Sequence, residues 1–432
     1  MNDFDIIVVG AGPAGSAAAM AAARAGMRVA LVERGPFPGS KNMYGGVIYG
    51  RILETLIPNW YEDAPIQRWV VRRGTMLATP TQSVTIDVRT TAWGEAPYNG
   101  ATALRPDFDS WLADHAVKDG ATLITSTTVT GLITESGKIV GVRTDRPDGD
   151  LRAKVVIACD GVNSFLAKEA GLYHHPEAEH FTLGVKEVLA LPTEVINERF
   201  NVSDTEGVDY EIVGCTGGIA GGGFVYTNKD SVVVGAVLHL PALGASGRRP
   251  EDIIADIKTH PSIAPLIAGG ELLEYSAHLI PEGGYDAMPE LSTDGLLIAG
   301  DAGAMCLAAG IWLEGVNYAI ASGKTAGEVA AAAVTRGDTS ANALAKYREE
   351  LEASFVLGDH KRLRHVPELL LSDRVQNRYP ELVCSLAEAM FTVDNPASKP
   401  RVNKVMYRLM KERGLKFRDL SRDMWRGMRS YG

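Results

Sequence analysis

The 432-residue sequence predicts an α/β (α+β) protein with a discontinuous β-α-β domain, a second domain built on an antiparallel sheet, and a helical C-terminal region. The first observation is a glycine-rich turn between an apolar strand and an alanine-rich helix near the start of the chain. The second is a β-type pattern with many glycines from Leu183 to about Leu240, and the third is a helical pattern after Ala341. The expected segments are 1–75, 100–182 and 290–340 for the β-α-β domain, 76–99 and 183–289 for the antiparallel domain, and 341–432 for the helical region.

The glycine-rich turn follows directly on a short apolar run of strand type. Gly10, Gly12 and Gly15 give the pattern G-x-G-x-x-G, with Pro13 and Ala14 inside it. In this pattern the first glycine permits a tight turn, the second lets the backbone approach a pyrophosphate, and the third lets helix and strand pack closely. The turn therefore predicts a site for a dinucleotide phosphate.

A helix and a second strand complete the unit. Residues 16–25 are nearly all alanine, which predicts a helix lying close on a sheet, and Gly26 ends it. The strand over 29–32 delivers Glu33, whose carboxylate can accept hydrogen bonds from the 2′- and 3′-hydroxyls of a ribose. Because a 2′-phosphate would meet like charge there, we expect a Rossmann-like site for an adenine dinucleotide without that phosphate. The unit alone leaves open whether the dinucleotide is FAD or a nicotinamide.

Composition excludes some function classes. The chain is 46% hydrophobic and 22% charged, as in soluble globular proteins, and its net charge of −10 argues against nucleic acid as a partner. The four cysteines are scattered singly, which predicts no metal and no iron–sulfur cluster in this chain. No apolar run reaches the roughly 18 residues of a spanning helix, and the first strand starts without a signal peptide. We therefore expect a cytoplasmic protein whose membrane contact, where it has one, is peripheral on the inner face.

The last 34 residues differ in charge from the rest. From Lys399 to Gly432 there are eleven Lys or Arg against three acids. Such asymmetry predicts a docking surface, and apolar residues at helical spacing in the same stretch fit anionic lipid or an acidic subunit. An ordinary helix packed on its own domain is the alternative.

The glycine- and proline-rich loop after the second strand is a candidate wall of the cofactor site. Arg34 opens it, Lys41 and Asn42 follow, and Gly45-Gly46 would let the backbone run flat against a planar ring. A surface loop is the alternative.

Further candidates stand at the ends of predicted elements. Arg105 opens a helix and is placed either to reach the cofactor or to form a structural salt bridge. Asp160-Gly161 and Gly300-Asp301 each follow a buried strand, at the carboxyl edge where open α/β sheets bind ligands.

The alanine-rich segment from Ile311 to Val334 predicts the last helix of the β-α-β domain, with Gly310 before it. Glu314, near the start of that helix, is a candidate for proton relay. A structural cap interaction is the alternative reading of Glu314.

Three motifs now stand in order: GAGPAG with its strand-end acid, Asp160-Gly161, and Gly300-Asp301. This triple resembles the FAD flavoproteins built like aromatic hydroxylases and geranylgeranyl reductases. The resemblance implies that the first motif holds the ADP half of FAD and that the other two surround the pyrophosphate and ribityl chain. It also implies an arginine, like Arg105, beside the flavin.

The whole chain is similar to the electron-transfer-flavoprotein:quinone oxidoreductase family, in its FixC-type branch. The segments that carry this similarity are SKNMYGG at 40–46, LRPDFDSWL at 104–112, GGGFVYTNK at 221–229, and YREELEASFVLGDHK and YPELVC…MFTVDNPASKP in the C-terminal part. The resemblance implies FAD as cofactor, an electron-transferring flavoprotein as donor, a quinone as acceptor, and a separate ferredoxin-like iron–sulfur subunit in a multi-subunit complex.

The expected cofactor-binding residues form one set. They are Gly10, Gly12, Pro13, Ala14, Gly15, Glu33, Arg34, Lys41, Asn42, Gly45, Gly46, Arg105, Val129, Asp160, Gly161, Gly300, Asp301, Gly310, Gly315, Val316 and Asn317. The helix expected to begin near Gly310 would aim its positive end at the flavin N1 and C2 carbonyl, where reduction places negative charge.

Two other functions stay open. One is an FAD-dependent isoprenoid reductase or aromatic monooxygenase, although GGGFVYTN stands where geranylgeranyl reductases usually carry a Tyr-x-Trp-x-Phe-Pro strand. The other is a non-catalytic flavin-binding assembly subunit. A quinone would need an apolar channel, and the segments Gly217 to Val237 and Met305 to Trp312 are candidates for its walls, with a packed β core as the alternative for the first segment.

Overall fold

The computed structural model describes residues 2–41, 45–173 and 177–432. In these residues the strands are β1 Ile6–Val9, β2 Val29–Val32, β3 Gly45–Ile48, β4 Ile66–Ala78, β5 Ser83–Arg89, β6 Ala101–Leu104, β7 Thr122–Ile124, β8 Val129–Glu135, β9 Lys138–Thr144, β10 Leu151–Arg152, β11 Val155–Ala158, β12 Phe181–Ala190, β13 Glu206–Val213, β14 Gly221–Thr227, β15 Ser231–His239, β16 Glu271–Pro281, β17 Ser292–Thr293, β18 Leu296–Ile298, β19 Leu307–Ala309 and β20 Trp312–Glu314. The helices are α1 Pro13–Arg24, α2 Arg105–Lys118, α3 Phe165–Glu169, α4 Thr193–Phe200, α5 Leu240–Ser246, α6 Pro250–Thr259, α7 Ala264–Ile267, α8 Val316–Arg336, α9 Ala341–Leu344, α10 Lys346–Glu352, α11 Phe355–Arg362, α12 Val366–Leu370, α13 Tyr379–Phe391, α14 Val402–Glu412 and α15 Phe417–Tyr431.

A six-stranded sheet carries the first β-α-β unit. Its order is β17-β18-β11-β1-β2-β7, and its strands run parallel except for β17. In β1, Ile6 and Val8 join the core with α1 and α8, whereas Ile7 and Val9 join the core with β8 and β9. Both faces are therefore covered, which is why this strand reads as a continuous apolar run rather than an alternating one.

Two glycines of α8 set how closely this helix approaches α1. A Cβ at Gly323 would lie 2.0 Å from the carbonyl oxygen of Ala14, and a Cβ at Gly327 would lie 2.3 Å from that of Ala18. Backbone of one helix thus touches backbone of the other, and only glycine fits.

A second, nine-stranded sheet has the order β16-β12-β15-β14-β13-β4-β6-β3, with β5 paired to β4. Its pairs are antiparallel except that β13 runs parallel to β4, so the sheet is mixed where we expected an antiparallel one. The strands β3, β4 and β6 belong to it, although most of their residues fall in segments assigned above to the β-α-β domain. The division into domains stays a proposal, while the predicted α/β (α+β) class is confirmed.

The β-rich stretch from β7 to β11 is divided between two sheets. The strands β8, β9 and β10 form a three-stranded antiparallel sheet. By contrast, β7 and β11 pair with β2 and β1 of the parallel sheet. A run of apolar residues does not by itself show where one strand stops and the next begins.

The helix expected over Ile311 to Val334 begins at Val316, so its predicted start near Gly310 is wrong. The strands β19 and β20 pair as a hairpin, and Gly310 takes a φ of +72° in its turn. Glycine adopts that left-handed conformation without strain, and Gly315 then forms the N-cap of α8. The C-terminal region is helical as expected, from α9 to α15.

Candidate functional site

A cavity of about 660 Å³ lies at the carboxyl ends of β1, β2 and β11. From the expected set it is lined by Gly10, Gly12, Pro13, Ala14, Glu33, Arg34, Lys41, Gly45, Gly46, Arg105, Val129, Asp160, Gly161, Asp301, Gly315 and Val316. We call it the first cavity. Residues scattered over three hundred positions of the chain thus meet at one edge of the parallel sheet.

Five residues of the expected set do not line the first cavity as described. A Cβ at Gly15 would lie 1.8 Å from the carbonyl oxygen of Gly10, and one at Gly300 would lie 2.8 Å from Cβ of Ala14, so both glycines serve packing. Gly310 lies in the hairpin turn, Asn317 hydrogen-bonds to Glu314, and Asn42 lies outside the described residues.

The turn after β1 has the geometry that its glycines predict. Gly10 has a φ of +97°, and a Cβ there would lie 2.3 Å from the carbonyl oxygen of Cys159. A Cβ at Gly12 would meet its nearest neighbour, Nη2 of Arg105, only at 3.8 Å. Gly12 is also the N-cap of α1, whose first turn contains no acid. A ligand anion can therefore approach the backbone and the positive end of α1 at this point.

Glu33 is 7% exposed and is hydrogen-bonded to the backbone of the turn after β1 and of the loop after β2. Its Oε2 accepts a hydrogen bond of 3.0 Å from the amide of Ala11, and its Oε1 accepts one of 2.7 Å from the amide of Gly35. A carboxylate has about four acceptor positions, so capacity for ribose hydroxyls remains.

Arg105 forms the expected salt bridge and also lines the first cavity. Its guanidinium forms a bidentate ion pair with Asp109, with Nε–Oδ1 and Nη2–Oδ2 distances of 2.8 Å, and it also lines the first cavity. Burial raises the pKa of Asp301, while the positive charge of Arg105 opposes that rise. The arginine is thus held in one orientation at the cavity wall.

Asp160 presents an unsatisfied oxygen at the same cavity. Its Oδ2 accepts a hydrogen bond of 3.0 Å from the amide of Leu166, but its buried Oδ1 has no partner among the described residues. Burial raises the pKa of this carboxyl. A buried acceptor without a donor costs free energy, so a ligand hydroxyl fits here. With the open backbone at Gly12 and the acid at Glu33, the residues present fit the phosphates and hydroxyls of FAD.

A second cavity, of about 550 Å³, adjoins the first. The residues that line both cavities, here called the shared wall, are Gly45, Gly46, Val47, Ile280, Cys306 and Gly315. Residues from both predicted channel segments line the second cavity, namely Gly221, Gly222, Gly223, Phe224, Tyr226 and Val237 from the first, and Cys306, Leu307, Ala308, Gly310 and Ile311 from the second. Leu313, Leu370 and Leu371 add further apolar side chains.

Sequence reading missed the ionisable side chains on the wall of the second cavity. They include Lys186, Asp209, Glu211, Tyr226 and Glu282. The one available signal was Asp209-Tyr210-Glu211, two acids alternating along a strand, but such a pattern ordinarily marks a solvent face. Burial raises the pKa of Glu282 to about 7.

Glu314 lies at the end of β20 and lines the second cavity, not the first. Its Oε2 accepts a hydrogen bond of 2.5 Å from Nδ2 of Asn317 in α8. This bond joins two side chains, and no described side chain caps the start of α8, so the expected cap interaction is not formed. Burial raises the pKa of Glu314.

Residues 2–41, 45–173 and 177–432 contain no cluster of three or more His, Cys, Asp or Glu side chains arranged to hold a metal ion. None of the helices in that part of the chain is both long and apolar enough to cross a membrane.

Solved structures resemble this chain over nearly its whole length. A geranylgeranyl bacteriochlorophyll reductase-like protein from Thermoplasma acidophilum has a TM-score of 0.71 at 22% identity, covering 95% of this chain and 96% of the other. The flavin-dependent brominase Bmp2 has a TM-score of 0.66 at 16% identity, covering 95% and 98%. At these identities the likeness establishes the fold.

Other relatives have higher sequence identity to this chain than these solved structures do. The probable electron transfer flavoprotein-quinone oxidoreductase YdiS of Escherichia coli K12 is 41% identical, covering 96% of each chain. Protein FixC of Salmonella typhi is 40% identical over 93% of this chain and 94% of its own, and FixC of Azorhizobium caulinodans is 40% identical over 93% and 92%. Residues 5–206 match the model for FAD dependent oxidoreductases, and residues 366–432 match the C-terminal domain of the ETF-QO/FixC family. The chain therefore belongs to the ETF-QO/FixC family and is an FAD-dependent oxidoreductase.

Proposed function

We propose that this chain transfers electrons from an electron transfer flavoprotein, through FAD in the first cavity, to a quinone in the second cavity. The name of the Escherichia coli relative supports this donor and this acceptor. The observation that carries the proposal is the shared wall, because a cofactor in one cavity is then next to a molecule in the other.

In the first cavity we assign the pyrophosphate to Gly12 and the N-terminus of α1, and the adenosine ribose to Glu33. We assign Asp160 and Asp301 to the ribityl chain and pyrophosphate, and the unsatisfied Oδ1 of Asp160 on the cavity wall supports this. When bound, FAD accepts two electrons, together or singly, and passes them on. Gly315, the N-cap of α8, lines the same cavity. The positive end of that helix would therefore favour negative charge on a flavin ring bound there.

The second cavity suits a quinone because it is lined by both apolar and buried ionisable side chains. Apolar side chains such as Phe224 and Leu370 match a ring and an isoprenoid tail. Buried ionisable groups such as Glu211 and Lys186 match an acceptor that gains protons with its electrons.

The mouth of this cavity supports a peripheral membrane contact. Ile311 and Leu313 line the cavity and are also exposed, and Trp425 and Met428 are exposed on α15. The hydroxyl of Tyr431, at the end of α15, donates a 3.0 Å hydrogen bond to the carbonyl oxygen of Ala309, so helix and hairpin are joined. The apolar residues and the basic charge of the C-terminal segment together fit an anionic lipid surface, from which an isoprenoid quinone would enter.

The proposed reaction is tested with the FAD-loaded chain, NADH and a soluble quinone, with and without the electron transfer flavoprotein. Fast quinone reduction is expected only with the flavoprotein. Fast quinone reduction from NADH alone, or NADH-dependent hydroxylation of a substrate, would contradict the proposal. Co-purification from the native host tests whether the flavoprotein and a separate ferredoxin-like subunit bind.

The membrane contact is tested by co-sedimentation with vesicles of phosphatidylcholine containing about a third phosphatidylglycerol. Met428→Glu and Trp425→Glu should release the chain from these vesicles, because each places an acid against anionic lipid. Leu273→Glu, an equally exposed leucine on the edge strand β16, is the matched control and should still bind. Binding that survives all three substitutions would exclude α15 as the contact.

A further inference from the structure

Arg73 joins two buried carboxylates on the wall of the second cavity. Its Nη2 lies 2.6 Å from Oε1 of Glu211, and its Nε lies 3.6 Å from Oδ2 of Asp209. The three side chains are 19%, 14% and 9% exposed, for Arg73, Glu211 and Asp209 respectively. Nη2 also donates a 3.2 Å hydrogen bond to the carbonyl oxygen of Ile311, at the mouth of the cavity.

The register of the nine-stranded sheet brings these groups together. Asp209 and Glu211 are two positions apart on β13, so both point to the same face. Asp209 lies opposite Arg73 of β4 on one side and opposite Tyr226 of β14 on the other. Both carboxyls line the second cavity. The strand that builds the cavity wall therefore places two acids beside its contents.

One arginine cannot neutralise two carboxylates. With both acids ionised, the cluster would hold a net negative charge away from water, which is unfavourable. Burial raises the pKa of Asp209 to about 6, and burial with the charge of Asp209 raises that of Glu211 to about 7. The two acids titrate as a pair, and near neutral pH the pair retains a proton.

The other ionisable groups that face Arg73, Asp209 and Glu211 are less suited to donate a proton. The Tyr49 ring lies 5.6 Å from the guanidinium of Arg73, and burial raises the pKa of the phenols of Tyr49 and Tyr226. Glu314 is hydrogen-bonded to Asn317. Tyr431 lines the cavity but donates to Ala309.

Lys186 also lines the cavity, with Nζ 3.3 Å from the hydroxyl of Tyr226, the residue opposite Asp209. Lys186, Tyr226 and the acid pair therefore line the same cavity, and Arg73 joins the acid pair to Ile311.

The geometry points to Asp209 and Glu211, held by Arg73, as the proton-donating catalytic site of the second cavity. The inference rests on the proposed function, because a quinone gains two electrons from reduced FAD and two protons to become a quinol. The pair gives its one proton to one quinone oxygen, is reprotonated at Glu211, and gives a second proton to the other quinone oxygen, so two quinone O–H bonds form as two carboxyl O–H bonds break. Glu211, at the mouth, regains its proton from water.

The test uses the full-length, FAD-loaded chain, reduced under anaerobic conditions and mixed with a short-chain ubiquinone analogue or with ferricyanide. Ferricyanide takes electrons without protons. Glu211→Gln and Asp209→Asn should slow quinone reduction by about 100- to 10,000-fold, as loss of a general acid does, and leave ferricyanide reduction unchanged. In the unmodified chain the rate should fall as pH rises through the titration of the pair, and Glu211→Gln should flatten that fall.

Two further variants complete the test. Glu206→Gln removes a carboxylate on the same strand but outside the cavity, and it should behave as the unmodified chain. Glu211→Asp keeps a carboxyl and should recover part of the rate lost in Glu211→Gln. FAD content and melting temperature verify that each variant is folded.

The outcomes separate the inference from the function on which it rests. Wild-type quinone rates at every pH in both single variants would overturn the inference while leaving the function intact. An increase in KM with unchanged kcat would also overturn it, because the pair would then bind and not donate. An unmodified chain that reduces ferricyanide but no quinone would refute the proposed function itself.

Discussion

Replacing Glu33 by Ala separates two contributions of one carboxylate. Glu33→Ala removes the acceptors for the amides of Ala11 and Gly35 and leaves both donors unpaired in a buried turn. Each unsatisfied buried donor costs roughly 1 to 3 kcal/mol, so the cofactor-free protein should lose about 2 to 6 kcal/mol of unfolding free energy. This loss needs no cofactor to be observed.

The second contribution is to the cofactor. A hydrogen bond from a ribose hydroxyl to the remaining acceptor positions of Glu33 is worth about 1.5 to 3 kcal/mol, since the acceptor is charged. Glu33→Ala should therefore raise the Kd for FAD by about 10- to 150-fold beyond any effect of the weakened turn.

Denaturant unfolding of the cofactor-free protein measures the first contribution, and titration with FAD followed by flavin fluorescence measures the second. Glu135→Ala removes an exposed surface acid paired with Arg152 and should change neither quantity. A wild-type Kd for FAD in a destabilised Glu33→Ala protein would refute the cofactor role and leave only the role in the turn. A protein unchanged in both measurements would refute the reasoning from buried hydrogen bonds as well.

Two other substitutions test the packing and electrostatics of the fold. Lys186 is 2% exposed, and burial, with Arg105 adding to it and Glu274 opposing it, lowers its pKa from 10.5 to about 7. Between pH 7 and 10.5 the unfolded chain binds more protons than the folded one, so the free energy of unfolding should rise with pH. Lys186→Met should remove that rise, which is worth on the order of 5 kcal/mol in total. A pH dependence of the melting temperature that is unchanged in Lys186→Met would contradict this. Gly323→Ala should lower the free energy of unfolding by about 1 to 3 kcal/mol because it forces α1 and α8 apart. Gly244→Ala in α5 should leave that free energy unchanged, because its added Cβ meets no described atom within 4 Å. Equal denaturation midpoints for the two variants would argue against close contact between α1 and α8.

The parts of the fold that the sequence predicts well are those fixed by local chemistry. The turn at Gly10 and Gly12, the helix after it and the acid Glu33 depend on neighbours within about thirty residues, and each has a residue type that few others can replace. The β-type pattern from Leu183 to about Leu240 also predicted the strands β12 to β15 of the nine-stranded sheet in type, whereas β3 lies in a stretch expected as a loop. The order of the strands in this sheet was not predicted, because the parallel pairing of β4 with β13 joins segments far apart in the chain.

The hairpin of β19 and β20 shows why the start of α8 was misplaced. Its sequence runs directly into an alanine-rich helix, and no local signal except Gly310 separates them. Contacts from the C-terminus stabilise it: the ring of Trp312 lies 5.8 Å from that of Tyr431, and the guanidinium of Arg362 lies 5.8 Å from the Trp312 ring. Such contacts override helical propensity and are invisible to periodicity.

The buried acids were missed for a different reason. An acid at every second position of a strand predicts a face in water, and Asp209 and Glu211 follow that pattern. Here the polar face covers a cavity, and Arg73, more than 130 residues earlier in the chain, balances part of its charge. A polar strand face opposite an apolar segment such as Met305 to Trp312 is therefore better read as one wall of a binding site.

The two glycines of β3 have different structural roles, and together they explain how one short strand lines two cavities. A Cβ at Gly45 would lie 2.3 Å from the carbonyl oxygen of Ala103, so Gly45 is needed for β3 to pair with β6. A Cβ at Gly46 would meet no described atom within 4 Å, so the space beside Gly46 is open and belongs to the cavities. Packing thus fixes the position of the shared wall through Gly45, while the absence of a side chain at Gly46 leaves open space beside that wall. A cofactor in one cavity and an acceptor in the other would then face each other across a wall whose position is fixed, as electron transfer between them requires.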